Sequence, residues 1–201
     1  MTFMTTSIKP IPSTPDTTRA LILDTALGLF SRTGYFNTSV QDIRKEADIS
    51  IGSIYHHFPS KEAIAKAIYH DLLAQMEEAM RNILATHASA YERCRAAVAL
   101  LLSMADSQPA AMEFILNARH REFMSDGVPI CSSSPFALMK QMVQEGMEQG
   151  EIALMDPLVA ATSLFGGPIR MIYLRLDGLI DGEVSRHLEP VWQCSWKSVS
   201  R

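Results

Sequence analysis

The sequence predicts an all-α protein: a short N-terminal unit built around a helix-turn-helix, followed by a larger helical body. Three observations predict it. Apolar residues recur at helical spacing along nearly the whole chain, as in Leu23, Ala26, Leu27 and Phe30. No strand-period alternation persists, and no repeat of solenoid length is evident. Capping residues, glycines and prolines interrupt the pattern at intervals that suit helices. The chain has 201 residues, 47% of them hydrophobic, enough for a core in one or two globular domains.

Residues 1–15 open the chain with MTFMTTSIKPIPSTP, which has no apolar core region and is broken by prolines. A disordered polar tail is expected there, not a signal peptide. A first helix follows over 17–33, capped by Asp16 or Thr17 and ended by Gly34. The next stretch, NTSVQDIRKEA, offers two capping-box spacings, Thr38 with Gln41 or Ser39 with Asp42. Val40, Ile43 and Ala47 form the inner stripe of this short helix. Asp48-Ile49-Ser50 is a brief break, and Ser50 caps a second short helix with Ile54 and Phe58 four apart on its inner face. Pro59-Ser60 breaks the chain again, and Ser60 caps a long helix running from 61 to about 85. Two short helices across a three-residue turn, at about 39–58, have helix-turn-helix geometry, in which the second helix enters the major groove.

Beyond this point the predicted helices are 91–105, 109–123, 135–149, 157–176 and 183–197, with 124–135 as a loop. Pro168 lies inside one of them, where its ring clashes with the preceding turn and a kink is expected.

Charge and composition narrow the function. The net charge is −4, with +1 on residues 1–70 and −5 on residues 71–201. That balance permits a nucleic-acid-binding N-terminal part on an acidic body without demanding it. Cys94, Cys131 and Cys194 are far apart and form no C-x-x-C, so buried thiols in a reducing cytoplasm are expected. No apolar run approaches a membrane span, and a soluble, cytoplasmic protein is expected. His56 and His57 are adjacent, about 100° apart on a helix, and lack the i, i+4 spacing of a metal pair. There is no G-x-S-x-G, no nucleophile–base spacing and no phosphate-binding glycine loop, so neither an enzyme nor a cofactor is implied.

The second short helix, buried along Ile54 and Phe58, must expose Ile51, Gly52, Ser53, Tyr55 and His56. Gly52 weakens a helix by up to ~1 kcal/mol relative to alanine, but it suits a position where a partner comes close to the backbone. Ser53 can meet a base edge or a phosphate, and Tyr55 and His56 can reach phosphates. Ile51 has two readings: an apolar tip for a thymine methyl, or a packing partner of Ile54 and Phe58.

The run TSVQDIRKEADISIGSIYHHFPSKEAI resembles the DNA-binding signature of the tetracycline-repressor (TetR) family of transcriptional regulators. In that family a Thr/Ser opens the first short helix. A Gly-(Ser/Thr/Ala)-(Leu/Ile/Phe)-Tyr-x-(His/Tyr)-Phe run then makes the recognition helix, followed by (Ser/Asn)-Lys-Glu. The resemblance implies a DNA-binding domain over 16–76 and an effector-binding and dimerisation domain over 77–201. Its phosphate contacts fall on Thr38, Ser39 and Lys61, its base-reading turn on Ile51, Gly52 and Ser53, and its backbone contacts on Tyr55 and His56. His57 falls on a position that often supports the fold. Two residues depart from the pattern. Asp48 stands where glycine is common, and aspartate tolerates a left-handed backbone. Arg44 stands where alanine is common, and either adds a phosphate contact or pairs with Asp48.

The resemblance also implies a homodimer reading a palindromic double-stranded operator, with half-sites about 34–36 Å apart or at a multiple of that. Candidate dimer residues are Ala160, Leu164 and Gly167 on the helix from Pro157, and Leu188, Trp192 and Trp196 on the last helix. Packing within the subunit is the competing reading for the tryptophans. Met76, Met80, Met104, Met112, Met139 and Met142 either line a pocket for a small, largely apolar effector or fill an ordinary core. Arg119-His120-Arg121-Glu122 is a ligand anchor or a solvated ion-paired face. The implied output is a repressor released by its effector, with the helix from Lys61 as the lever between the parts. The alternative is a thiol-based redox sensor acting through Cys131.

Overall fold

The computed structural model describes residues 17–117 and 133–201. The expectations for the tail 1–15, the Asp16 cap, the 119–122 cluster, most of the 124–135 loop and Cys131 fall outside the described residues. The described helices are α1 (Thr17–Thr33), α2 (Val40–Ala47), α3 (Ile51–His57), α4 (Lys61–Thr86), α5 (Ala90–Ser107), α6 (Pro109–Asn117), α7 (Ser134–Glu148), α8 (Pro157–Leu176) and α9 (Leu188–Lys197). A 3-10 turn, Val184–His187, precedes α9. The only extended pairing among the described residues is an isolated bridge between Ile152 and Ser200.

The chain forms two compact units. The first holds α1, α2, α3, the part of α4 up to Gln75, and residues 110–117. Its core is the predicted apolar face: Leu23, Ala26 and Phe30 from α1, Ile43 from α2, and Ile54 and Phe58 from the α3 segment are buried. α1 stops because Gly34 takes the left-handed conformation (φ 85°) and donates its N–H back to Phe30 O at 3.0 Å. Ser39, not Thr38, caps α2. Its hydroxyl accepts from Asp42 N, and the Asp42 carboxylate accepts from Ser39 N at 2.8 Å, a reciprocal capping box. α2 ends at Asp48, which adopts the left-handed conformation (φ 51°, ψ 48°) expected of its place in the turn.

The sequence places the helix starting at 109 in the second part of the chain. Its residues 110–117 group with the first unit instead. The reason is aromatic: Phe114 stacks on Phe30 with ring centroids 6.2 Å apart, and Met112, Phe114 and Ile115 are buried.

The second unit begins at Met76 within α4 and holds α5 and residues 133–201. Two carboxylates fasten it across long stretches of sequence. Glu151 caps α5, accepting from Ala90 N at 2.9 Å and Tyr91 N at 3.0 Å. Asp106 accepts from Val184 N at 2.8 Å and Ser185 N at 2.9 Å, with Arg175 Nε at 3.5 Å. α7 packs closely because Gly146 has no side chain: an added Cβ would lie 2.7 Å from Ala90 Cβ. The helix predicted over 183–197 is divided, with a 3-10 turn before α9. Pro190 explains the division, since its ring excludes a regular α-turn over residues 186–190. α8 continues as one helix through Pro168, whose missing N–H leaves Leu164 O without its helical donor.

One expectation about α8 needs correction. The helix is 20 residues long and contains an 18-residue window of mean hydropathy 1.2, long and apolar enough by composition to cross a membrane, although no such apolar run is expected from the sequence. Arg170 interrupts the run without taking it out of that range. Ala160, Leu164, Phe165, Pro168 and Ile172 bury one face of the helix, while Leu158 and Val159 are exposed.

Candidate nucleic-acid interface

Helix α3 is short, and its caps make it stable. Ser50 Oγ accepts from Ser53 N at 3.0 Å and lies 3.0 Å from Ser53 Oγ. Ile54 is fully buried and Phe58 nearly so. Arg19, reaching from α1, lies over the Phe58 ring 5.5 Å from its centroid and pairs with Asp71 at 3.7 Å. Nothing in the local pattern of the sequence marks Arg19 for this role.

With that face buried, α3 presents Gly52, Tyr55 and His56 to solvent. Tyr55 is 54% exposed, which leaves its ring and hydroxyl open to a partner. A Cβ at Gly52 would meet only Ser50 Oγ, at an ordinary 3.7 Å. The fold therefore does not require glycine there, whereas a closely approaching partner would. Ile51 and Ser53 are half-buried. His57 is half-buried, its ring 5.1 Å from His56 and 6.5 Å from Phe58, in keeping with a supporting place.

At the start of α2, Ser39 is exposed and Thr38 is not. Thr38 is 2% exposed, and its hydroxyl donates to Gly34 O at 2.9 Å beside Thr33 Oγ1 at 2.8 Å. Its side chain is committed to the fold and is withdrawn as a phosphate contact. The Ser39 hydroxyl, then its backbone N–H, holds the Asp42 carboxyl below the usual range. Arg44 does not pair with Asp48; its Nε donates back to Gln41 Oε1 at 3.0 Å. Lys61 also departs from expectation. Its ammonium donates to Tyr35 O at 2.8 Å and Thr38 O at 2.9 Å, 4.2 Å from the Tyr35 ring centroid.

Among the described residues, no group of three or more His, Cys, Asp or Glu could hold a metal. Cys94 is an inert thiol: burial, reinforced by Glu151, pushes its pKa up to about 12. Cys194 is exposed.

In the second unit, the proposed dimer residues largely turn inward. Ala160, Leu164 and Trp192 are fully buried within the subunit. Trp192 stacks on Trp196 at 5.4 Å, and Tyr91 meets both rings edge-on. These aromatics fill a core because Tyr91, at the start of α5, closes around them. Gly167 is exposed, and Leu188 and Trp196 are half-buried. The exposed face of α8 is instead Leu158, Val159, Thr162, Ser163, Gly167 and Arg170. All six candidate methionines are buried, but Met112 belongs to the first unit and the other five to the second.

Known proteins share this arrangement. Residues 22–68, which hold α2, α3 and parts of α1 and α4, match the family described as bacterial regulatory proteins, tetR family. The transcriptional repressor KstR2 of Mycolicibacterium smegmatis is 37% identical over 82 residues, 41% of this chain and 40% of that protein. The chain spans less than half the length of the curated relatives it matches. The fold resembles the fatty acid degradation regulator FadR of Bacillus halodurans, with a TM-score of 0.76 at 16% identity, covering 92% of this chain and 97% of that one. It also resembles FadR of Bacillus subtilis, solved in complex with stearoyl-CoA, with a TM-score of 0.73 at 21% identity, covering 87% and 96%.

Proposed function

Because the chain belongs to the tetR family of bacterial regulatory proteins, we propose that it is a cytoplasmic transcriptional repressor that binds a palindromic operator and releases it on binding a small, largely apolar effector. The observation that carries the DNA-binding reading is the solvent face of α3: an exposed Tyr55 and His56 beside a Gly52 that the fold does not require. Ser39, exposed at the start of α2, and Arg44, half-exposed within it, are the further candidate phosphate contacts. The protein should shift duplex DNA from upstream of its own gene, and binding should weaken steeply with salt. Tyr55→Ala should lower affinity about tenfold or more with an unchanged melting temperature, as a lost positioning contact does. Wild-type affinity in that variant would remove the assignment.

The homodimer is assembled through the exposed face of α8, on which Leu158 and Val159 are the large apolar residues. Leu158 and Val159, large apolar side chains 67% and 55% exposed, support this surface. Sedimentation should give a dimer, and Val159→Glu should give monomers. A dimer that survives this change belongs to another face.

The effector reading draws on Met76, Met80, Met104, Met139 and Met142, which give the second unit an adaptable apolar interior. Given the stearoyl-CoA complex of the Bacillus subtilis protein, acyl-CoA thioesters are the first effectors to try. Linkage requires effector and operator to weaken each other by the same factor.

A further inference from the structure

We propose that Lys61 is a positioning residue of the DNA-reading unit, closing residues 38–61 into a ring that fixes α3 against α2. This rests on the DNA-binding reading above. Lys61 opens α4, at the end of the helix dipole that disfavours a cation. Two carbonyl acceptors offset that disadvantage, Tyr35 O and Thr38 O, which lie 26 and 23 residues earlier in the chain. The Tyr35 ring 4.2 Å away adds a cation–π contact. An ammonium has three donors, and two are spent here on part-buried acceptors.

The two ends of this ring matter for reading DNA. Thr38 is buried and hydrogen-bonded through its hydroxyl, and the next residue, Ser39, is the cap of α2. At the other end, Lys61 follows Pro59-Ser60 directly after Phe58, the last buried anchor of the α3 segment. One ammonium therefore ties the entry of α2 to the exit of α3. Charge-assisted hydrogen bonds of this kind are about twice as strong as neutral ones. Base-edge readout depends on where α3 lies, whereas phosphate attraction tolerates displacement. Lys61 thus acts on specificity through the helices it holds, not by touching a phosphate.

The test starts from duplexes that the wild-type full chain selects from a randomised pool, with a scrambled duplex as the non-specific probe. Affinities for both are measured across a salt series for wild type, Lys61→Met and Lys61→Gln, with the melting temperature of each. Lys61→Met should lower the specific-to-non-specific affinity ratio by about tenfold or more, comparable to losing one base contact. Lys61→Gln, which keeps a neutral donor, should lower it less. Neither should change the slope of log affinity against log salt. A slope reduced by about 0.9, with both duplexes weakened alike, would mean a phosphate contact and overturn the proposal. A wild-type ratio in both variants also overturns it, including when only the melting temperature falls, since the role is then structural. If Lys61→Met does not fold, Lys61→Gln decides by the same two readouts. A wild-type chain that selects no duplex defeats the DNA-binding reading itself, an outcome distinct from selected duplexes whose recognition ignores Lys61.

Discussion

The two units are fastened in different ways. The first is held at its helix ends by partners close in sequence: Ser39 with Asp42, Ser50 with Ser53, Ser60 Oγ with Ala63 N at 3.2 Å. The second has local caps too, Ser89 with Glu92 and Asp156 with Leu158, and adds partners far apart: Glu151 caps a helix some 60 residues before it, and Asp106 caps a turn 78 residues after it. Short-range caps form as soon as their own helix forms. Long-range caps form only when distant segments have met, and the entropy of closing those loops must be overcome first. The difference suits the proposed roles. A reading head needs local geometry that stays fixed, and a sensor needs a packing that a ligand can re-weight.

The largest break in this contrast comes from the aromatic core of the second unit. Trp192→Ala should destabilise the chain by about 3–5 kcal/mol, because a fully buried ring stacked on Trp196 and flanked by Tyr91 leaves a large cavity. Urea unfolding measures it. A loss under about 1 kcal/mol would mean that the site collapses freely, and that this core is looser than its burial implies.

A smaller effect compares the two kinds of cap directly. Asp106→Ala strips acceptors from Val184 N and Ser185 N and should cost about 1–3 kcal/mol. Ser39→Ala removes a local cap and should cost about 1 kcal/mol. The Asp106 cap carries its own pH signature. Burial pushes its pKa up, but the Ser185 hydroxyl, the Ser185 and Val184 N–H groups and Arg175 outweigh burial and hold it below the ordinary 3.8. A depressed carboxyl contributes stability in full above its unfolded pKa and loses it as pH falls through the folded value. Wild type should therefore lose stability below about pH 4 more steeply than Asp106→Asn. Parallel acid curves would show that the carboxylate charge is not what fastens the turn.

The same contrast separates what could be read in the sequence from what could not. α1 and α8 have their predicted bounds because caps, Gly34 and Pro157 lie at their ends. The Ser39–Asp42 box and the left-handed Asp48 were legible for the same local reason. The exposed flank of α3 followed from Ile54 and Phe58 alone. Lys61 was not legible, because its acceptors are backbone carbonyls, which no side-chain pattern announces. Thr38 and Ser39 are chemically alike, and only the packing decides which one turns inward. The grouping of residues 110–117 with the first unit was not legible, because the Phe114–Phe30 stack spans 84 residues of sequence. Local pattern does not choose between an outward and an inward place for Trp192 and Trp196, because Tyr91, which encloses them, comes a hundred residues earlier.

The smallest effect has the opposite sign, and it isolates function from stability. Gly52 lies in the first turn of α3, where alanine would raise helix propensity and the nearest atom to a new Cβ is 3.7 Å away. Gly52→Ala should therefore stabilise the first unit by up to about 1 kcal/mol. The same methyl projects from the solvent face into the space that a DNA backbone or base edge would occupy. Operator affinity should fall while the melting temperature rises. A variant that gains stability and keeps full affinity would show that no partner comes close at this turn, and the base-reading role would then rest on Ser53 and Ile51 alone. A variant that loses stability would point to a constraint on α3 from within the fold, and the glycine would no longer speak for DNA.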